Sequence, residues 1–288
     1  MVNTPFTNLK CPRCSKRLVF RDGKYWCSAC KASIPMTRDK PVFLPAKSLE
    51  EFKTDLSTGF LNRLKTRFRE NSKFYTFIFY ILSPALFLGK SPRALYQWLP
   101  KDAFVIDIGS GSKRVSEAVV NLDIYPWDNV DVVADAHDLP FLDNSVDGVI
   151  TTWTLEHLKY PEKVIREIYR VLTPGGYLYL STNFVMPYHS SPADYYRWSS
   201  QGLEVLLEDF ETLELRPKAG PTCTLLLVIQ EWVSLALSFN IKLLKDFIWL
   251  IMVLLTFPFK ILDLILMRFK RARDLSAGLY YIGRKPSN

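Results

Sequence analysis

Between residues 104 and 181 short apolar runs recur, the first three closed by a glycine or an aspartate, and turns or helical stretches separate them. The run FVIDIGSG at 104–111 reads as a buried strand entering a glycine turn, and Val119–Asp123 as a second strand with an acidic end. Residues 130–135 give a third, again ending in aspartate, and Val146–Thr152 a fourth. The stretch 161–172 then places Val164, Ile168 and Leu172 on one helical face and stops at Thr173-Pro174-Gly175-Gly176, ahead of a fifth strand at 177–181. A sixth strand is expected at 211–216 and a seventh at Gly278–Arg284. Strands that alternate with crossovers build a mainly parallel sheet, because a parallel neighbour is reached only by carrying the chain back across a face. The expected class is α/β with a Rossmann-like sheet.

In such sheets ligands collect beyond the carboxyl ends of the strands. Asp107, Gly109 and Gly111 fall there, on the loop after the first strand, where glycines let backbone approach a ligand and a carboxylate can orient the loop or meet an ammonium group. Asp123 ends the second strand, the position from which a carboxylate accepts hydrogen bonds from ribose hydroxyls. Taken in order, VIDIGSG, NLDIYP, ADAHDLPF, SVDGVI, LEHL and EIYRVLTPGGYLYLST resemble the successive motifs of class I S-adenosylmethionine-dependent methyltransferases, with quinone-biosynthesis methyltransferases the most similar branch. The resemblance covers about residues 95–215 and the final strand. It implies that Asp107, Gly109 and Gly111 hold the methionine end of the cofactor, Asp123 the ribose, and Asp135 with Ala136 the adenine edge. Ser110, Ile124 and Trp153 complete the implied cofactor-binding set. Two departures from that family stand out: Lys113 occupies the place of a third glycine, and eleven residues separate Gly111 from Asp123, so the first helix is expected to be shortened or lost. Ser112, Lys113 and Arg114 then either close over the methionine carboxylate or form a solvated loop. Methyl transfer from a sulfonium relies on proximity and needs a base only when the acceptor carries a proton. The candidates are His157, in the Leu155-Glu156-His157 turn, and His189, in the loop after the fifth strand; their roles are otherwise structural.

Cys11, Cys14, Cys27 and Cys30 form C-x2-C-x12-C-x2-C, two tight turns whose thiolates converge as tetrahedral zinc requires. No charged stretch leads into an apolar one at the N-terminus, which predicts a reducing, cytoplasmic compartment and disfavours disulfides. With Asp22-Gly23 as a hairpin turn and IPMTRDKPVFLP as a closing strand, 9–45 resembles the zinc ribbon of tRNA-methyltransferase activator proteins. Four protein ligands leave no open position, so the metal is expected to be structural.

Charge is segregated: residues 1–100 hold 18 Lys and Arg against 6 Asp and Glu, 101–215 hold 8 against 19, and 216–288 hold 11 against 4. Basic flanks around an acidic centre suit an anionic surface, phospholipid or RNA. The segment 221–267 contains 32 hydrophobic residues and six charges, Glu231, Lys242, Lys245, Asp246, Lys260 and Asp263, and is expected to be an apolar helical insert before the last strand. Its longest uncharged stretch after Asp246 is 247–259, about 20 Å of helix. A full span is therefore disfavoured against contact with a membrane interface, where Arg268, Lys270, Arg271 and Arg273 would meet headgroups. A second apolar stretch, 74–89, is broken by Pro84 and follows a capping-box start at Ser48-Leu49-Glu50-Glu51 and a helical period through Leu61, Leu64 and Phe68. The expected organisation is a zinc ribbon at 1–45, a helical connector at 46–100, and a methyltransferase domain at 101–288 carrying the insert at 221–267.

The functional expectation is a methyltransferase using S-adenosylmethionine and a structural zinc. It would act at the inner membrane face, on the cytoplasmic side, on a lipid-like or small-molecule acceptor. Two alternatives stay open: an RNA methyltransferase that grips rRNA or tRNA with its ribbon, and a membrane-tethered binding protein without catalysis. Neither the acceptor nor the oligomeric state is legible.

Overall fold

The computed structural model describes residues 6–45, 83, 85–188 and 193–287. His189, the capping box at Ser48 to Glu51, the helical period through Phe68 and most of the 74–89 stretch lie outside the described residues.

Two short hairpins open the chain, β1 (Val19–Arg21) with β2 (Lys24–Trp26) and β3 (Met36–Thr37) with β4 (Lys40–Pro41). The first turns at Asp22 and Gly23, both at positive φ, as a two-residue hairpin demands. A 3-10 turn at Pro92–Gln97 leads to the large sheet, made of β5 (Val105–Ile108), β6 (Val119–Asp123), β7 (Val132–Val133), β8 (Val146–Thr152), β9 (Leu172–Asn183), β10 (Glu211–Ala219) and β11 (Gly278–Arg284). Its order is β7-β6-β5-β8-β9-β11-β10, parallel except for β11, which runs antiparallel to both β9 and β10. The order reverses at β5, so the switch point opens between the ends of β6 and β8.

Both faces of β5 are buried, which is why its sequence, Val-Ile-Asp-Ile, does not alternate. One face packs Ile106, Ile108, Val149, Leu178 and Leu180 against Val164, Ile165 and Ile168 of α1 (Pro161–Val171) and Leu203 of α2 (Ser200–Leu206). On the other, Val105, Val119, Ile150, Tyr179 and Tyr280 pack against Leu95 of the 3-10 turn. The strands follow the expected order, with differences at their bounds, the fifth and sixth running on to Asn183 and Ala219. The third strand shrinks to two residues, and the fifth begins at Leu172 instead of 177, because Val146 pairs with Leu172 before a register shift lets Gly148 pair with Tyr177. The expected loss of the first crossover helix holds: no helix lies between β5 and β6.

The ribbon is joined to the sheet through a common core. Leu9, Leu18, Tyr25 and Ile34 belong to the same buried cluster as Ile106 and Phe141. Leu9 bridges Phe141, and Val42 bridges Val133 in parallel, with the Phe43 N–H donating to Val133 O at 2.8 Å. The exposed edge of β7 is thereby covered, removing a pairing template that edge strands otherwise present.

The insert is a helical hairpin. α3 (Pro221–Leu237) and α4 (Lys242–Thr256) are antiparallel, tied by Gln230 Nε2 donating to Thr256 Oγ1 at 2.7 Å and by Lys245 with Glu231 at 2.8 Å. A 3-10 turn at Phe257–Leu262 continues α4 into α5 (Asp263–Leu266). The fully buried Asp263 carboxylate accepts the Thr222 and Cys223 N–H groups at 2.8 and 3.0 Å and caps α3. Gly220 is required there, since a Cβ would fall 2.4 Å from that carboxyl carbon. The run Lys242–Leu266 spans 25 residues and is long and apolar enough to cross a membrane by length and composition. The sequence expectation of a run too short to span counted only uncharged residues; the helix instead continues through Lys260 and Asp263. Only 11% of its most apolar window is buried, and Phe239, Leu243 and Leu255 are 82%, 81% and 65% exposed.

Candidate active site

A cavity of about 450 Å³ opens at the carboxyl ends of β5, β6, β7 and β8. Its glycine loop is anchored by the Gly109 and Ser110 N–H groups, which donate to Leu122 O at 2.8 and 3.2 Å. Gly109 has φ +69°, and a Cβ there would lie 2.4 Å from Thr154 Oγ1, so no other residue fits. Gly111, at φ +58°, faces open space. Lys113, where the resemblance expected glycine, is not among the residues at positive φ. Nothing in the backbone demands glycine there; the Lys113 carbonyl accepts from Asn121 and Asn129 at 2.9 and 2.7 Å.

Asp123 receives the Gly111 N–H on Oδ2 at 2.9 Å and the Tyr125 N–H on Oδ1 at 2.8 Å. Burial pushes its carboxyl upward while those N–H groups oppose the shift. Behind it, Asp107 is buried and its Oδ1 has no partner among the described residues. Burial first, and the neighbouring Asp123 charge second, push the Asp107 carboxyl up to about 8. A carboxyl held this way at a strand end is short of a cationic or donor partner.

Gly109, Gly111, Asp123, Ile124, Asp135, Ala136 and Trp153, all expected from the sequence, line this one cavity. Asp107 and Ser110 are not on its wall; the Ser110 hydroxyl, like Asp107 Oδ1, is buried without a partner among the described residues. Ser112 lines the cavity but Arg114 does not. The guanidinium of Arg114 is drawn away to Asp131 at 2.8 Å and to the carbonyls of Val119 and Asn129 at 2.7 Å, where it straps β6 to the loop before β7. Of the two histidine candidates, His157 lines the cavity and His189 lies outside the described residues. Nδ1 of His157 meets Ala193 O; as donor to that carbonyl it leaves Nε2 as the unprotonated nitrogen. The adjoining Glu156 is fully buried, accepting from Asn183 at 2.7 Å and Thr182 at 2.9 Å, which ties the turn carrying His157 to the end of β9.

Tyr125, Trp127, His137, Thr154 and Leu158 also line the cavity and escaped the sequence reading. The signal for His137 was its spacing from Asp135: the Asp135 Oδ1 accepts from the His137 backbone N–H at 2.9 Å and sits 2.6 Å from Nδ1, leaving a buried Nε2 without a partner among the described residues. Trp153 has φ +55°, an uncommon conformation for a bulky residue, and its ring packs over Gly278, where a Cβ would fall 2.6 Å from it.

The four ribbon thiols converge with all Sγ atoms within 4.8 Å of one another; Cys11 to Cys30 is 3.9 Å and Cys14 to Cys27 is 3.5 Å. Tetrahedral zinc at about 2.3 Å from each sulfur sets sulfurs roughly 3.8 Å apart. The cluster fits that geometry. The Cys30 N–H reaches Cys27 Sγ at 3.4 Å and leads the groups that lower that thiol to about 6.

Residues 88–180 match the family described as "Methyltransferase domain". Among curated proteins, a demethylmenaquinone methyltransferase of Symbiobacterium thermophilum is 37% identical over 71 residues, covering 25% of this chain and 28% of the relative. A ubiquinone/menaquinone biosynthesis C-methyltransferase UbiE of Pasteurella multocida is 33% identical over 118 residues, covering 38% and 43%. The chain spans less than half the length of these relatives. A putative sarcosine dimethylglycine methyltransferase from Galdieria sulphuraria superposes with a TM-score of 0.46 at 15% identity, covering 74% of this chain and 98% of that one.

Proposed function

We propose that the chain is an S-adenosylmethionine-dependent methyltransferase with a structural zinc in its ribbon, held at a membrane by the α3–α4 hairpin and acting on a small, lipid-like acceptor. The observation that carries the reading is one cavity at the switch point on which seven residues expected to bind cofactor converge, above a buried Asp107 oxygen that has no partner among the described residues. The relatives named for quinone methylation support a small-molecule acceptor. The exposed apolar side chains of the hairpin support its lipid character.

In this reading the bound cofactor supplies an activated methyl carbon to in-line displacement. Asp107 would offer its carboxyl to the ammonium end from behind the glycine loop, and the open space at Gly111 would admit the methionine chain. Asp123 keeps lone pairs for two ribose hydroxyls while its backbone partners hold it in place. Asp135 and Ala136 border the base. His157 Nε2 takes the proton of an acceptor that carries one, and the buried Glu156 fixes the turn that presents it. Calorimetry with S-adenosylmethionine tests the reading directly. Binding is expected, and Asp123→Ala should weaken it by about 1.5–3 kcal/mol, the worth of hydrogen bonds to a charged group. A well-folded protein that takes up no cofactor, or a lysate in which no small molecule or lipid gains a labelled methyl group, overturns it.

A further inference from the structure

A second cavity, about 720 Å³, lies at the foot of the hairpin, between residues 88–90, the middle of β10 and the chain after α5. Among the described residues five cations line it, Lys90, Arg216, Arg268, Lys270 and Arg273, and no carboxylate does. Two of the five are partly balanced from outside the wall. Lys90 pairs with Glu214, which also accepts the Tyr280 hydroxyl at 2.8 Å, and Arg273 stands 3.9 Å from Asp274. Arg216, Arg268 and Lys270 form no ion pair among the described residues, although Arg216 lies within the field of the Glu214 carboxylate that Lys90 engages. Like charges gathered in a concavity repel one another, and a multivalent oxyanion relieves that repulsion. The guanidinium forks of Arg216 and Arg268 match phosphate oxygens two at a time.

The rest of the wall narrows the source of that phosphate. Leu264, Met267 and Phe269 line the same cavity, and Leu264 and Phe269 are 46% and 60% exposed. The exposed Phe259, Ile261, Leu262 and Ile265 lead from α4 to them along the chain, so the cations follow an exposed apolar stretch. That ordering, apolar helix and then a basic pocket, is the depth profile of a lipid headgroup. A free phosphate or an RNA backbone has no use for the apolar half of the wall. We propose that this cavity binds the phosphate of an anionic membrane phospholipid, with Arg216, Arg268 and Lys270 as its donors. The proposal rests on the membrane reading given above and adds to it a defined lipid site, separate from the methyl-transfer cavity.

The test is flotation of the purified full-length protein with vesicles of phosphatidylcholine alone, or of phosphatidylcholine and phosphatidylglycerol at roughly 4:1. Phosphatidylglycerol is expected to raise the bound fraction. The triple variant Arg216→Gln, Arg268→Gln, Lys270→Gln should lose about 100-fold in partition onto the anionic vesicles, from about 1 kcal/mol per cation and about 1.4 kcal/mol per tenfold. It should keep its partition onto phosphatidylcholine and its affinity for S-adenosylmethionine, which reports the fold. A control removing ribbon cations outside the cavity, Arg13→Gln, Lys16→Gln and Arg17→Gln, should keep the preference for anionic vesicles. The proposal is overturned if the cavity variant retains that preference or the ribbon variant loses as much of it. It also falls if millimolar inorganic phosphate or an RNA oligonucleotide displaces the wild-type protein. Failure to float with either vesicle sinks the membrane reading itself and the lipid site with it; binding to both with no effect of phosphatidylglycerol sinks only the lipid site.

Discussion

The carboxyl of Asp107, raised to about 8 by burial, makes a statement about stability that runs opposite to the usual aspartate. Its ordinary value is 3.8, so between about 4 and 8 the folded protein holds a proton that the unfolded chain has released. Stability should therefore fall as pH rises through that window and level off above it, at no more than about 1.4 kcal/mol per pH unit. Asp107→Asn removes the linkage. Thermal melts of the ligand-free protein should show the variant gaining on the wild type from pH 5 to pH 8, while its affinity for the cationic cofactor drops; parallel pH profiles would refute the buried, unpartnered assignment. At this scale the sequence was most readable where a residue's chemistry is tied to backbone. Gly109, Gly111 and Asp123 could be placed because a positive φ or a strand end dictates them. Arg114 could not, because the partner that draws it from the cavity, Asp131, lies beyond β6. Trp127 and Thr154 reach the site on loops whose course is set by tertiary contacts and carry no local signal.

At the scale of elements, the ribbon is the part whose identity was plain and whose consequence was not. Spacing alone placed the four cysteines, and they do converge. What spacing cannot say is where the ribbon docks. It docks beside residues that line the cavity: Lys40 donates to the carbonyls of Trp127 and Asp128, and Lys10 pairs with Asp138 at 3.2 Å, three residues past Asp135. Trp127 and Asp135 both line the cavity. Loss of the zinc proposed for the ribbon should then do more than unfold 40 residues. Removal by a chelator under reducing conditions, or Cys27→Ser, is expected to lower cofactor affinity several-fold and reduce the stability of the sheet together with the ribbon, since Leu9, Tyr25 and Phe141 share one core. Elemental analysis should return one zinc per chain. An unaltered cofactor affinity in the metal-free protein would show that the ribbon does not brace the cavity.

Across the whole molecule, the sheet and the hairpin solve different burial problems. The sheet is covered on both faces, so the exposed apolar side chains of α3 and α4 meet no protein among the described residues; Cys223 and Leu227 of α3 pack with Ala219 and Ala277, and an ion pair and a glutamine bond hold the two helices to each other. The composition of 221–267 foretold this surplus, but not that the helix would run on through Lys260 and Asp263, because Asp263 is consumed as the cap of α3 and so costs the apolar surface nothing. If lipid covers the hairpin, the protein should sediment with membranes, be released by detergent, and respond only in part to salt, since burial of apolar area dominates the binding. Leu243→Gln with Leu255→Gln is the discriminating variant: both side chains project from the fold, so stability of the soluble core should change by no more than about 0.5 kcal/mol per site. Each leucine withdrawn from hydrocarbon forfeits about 1.5–3 kcal/mol, so membrane partition should fall roughly 100-fold or more. A wild-type protein that stays soluble without detergent as a dimer, and becomes a monomer in this variant, would mean that a second copy and not lipid covers the hairpin.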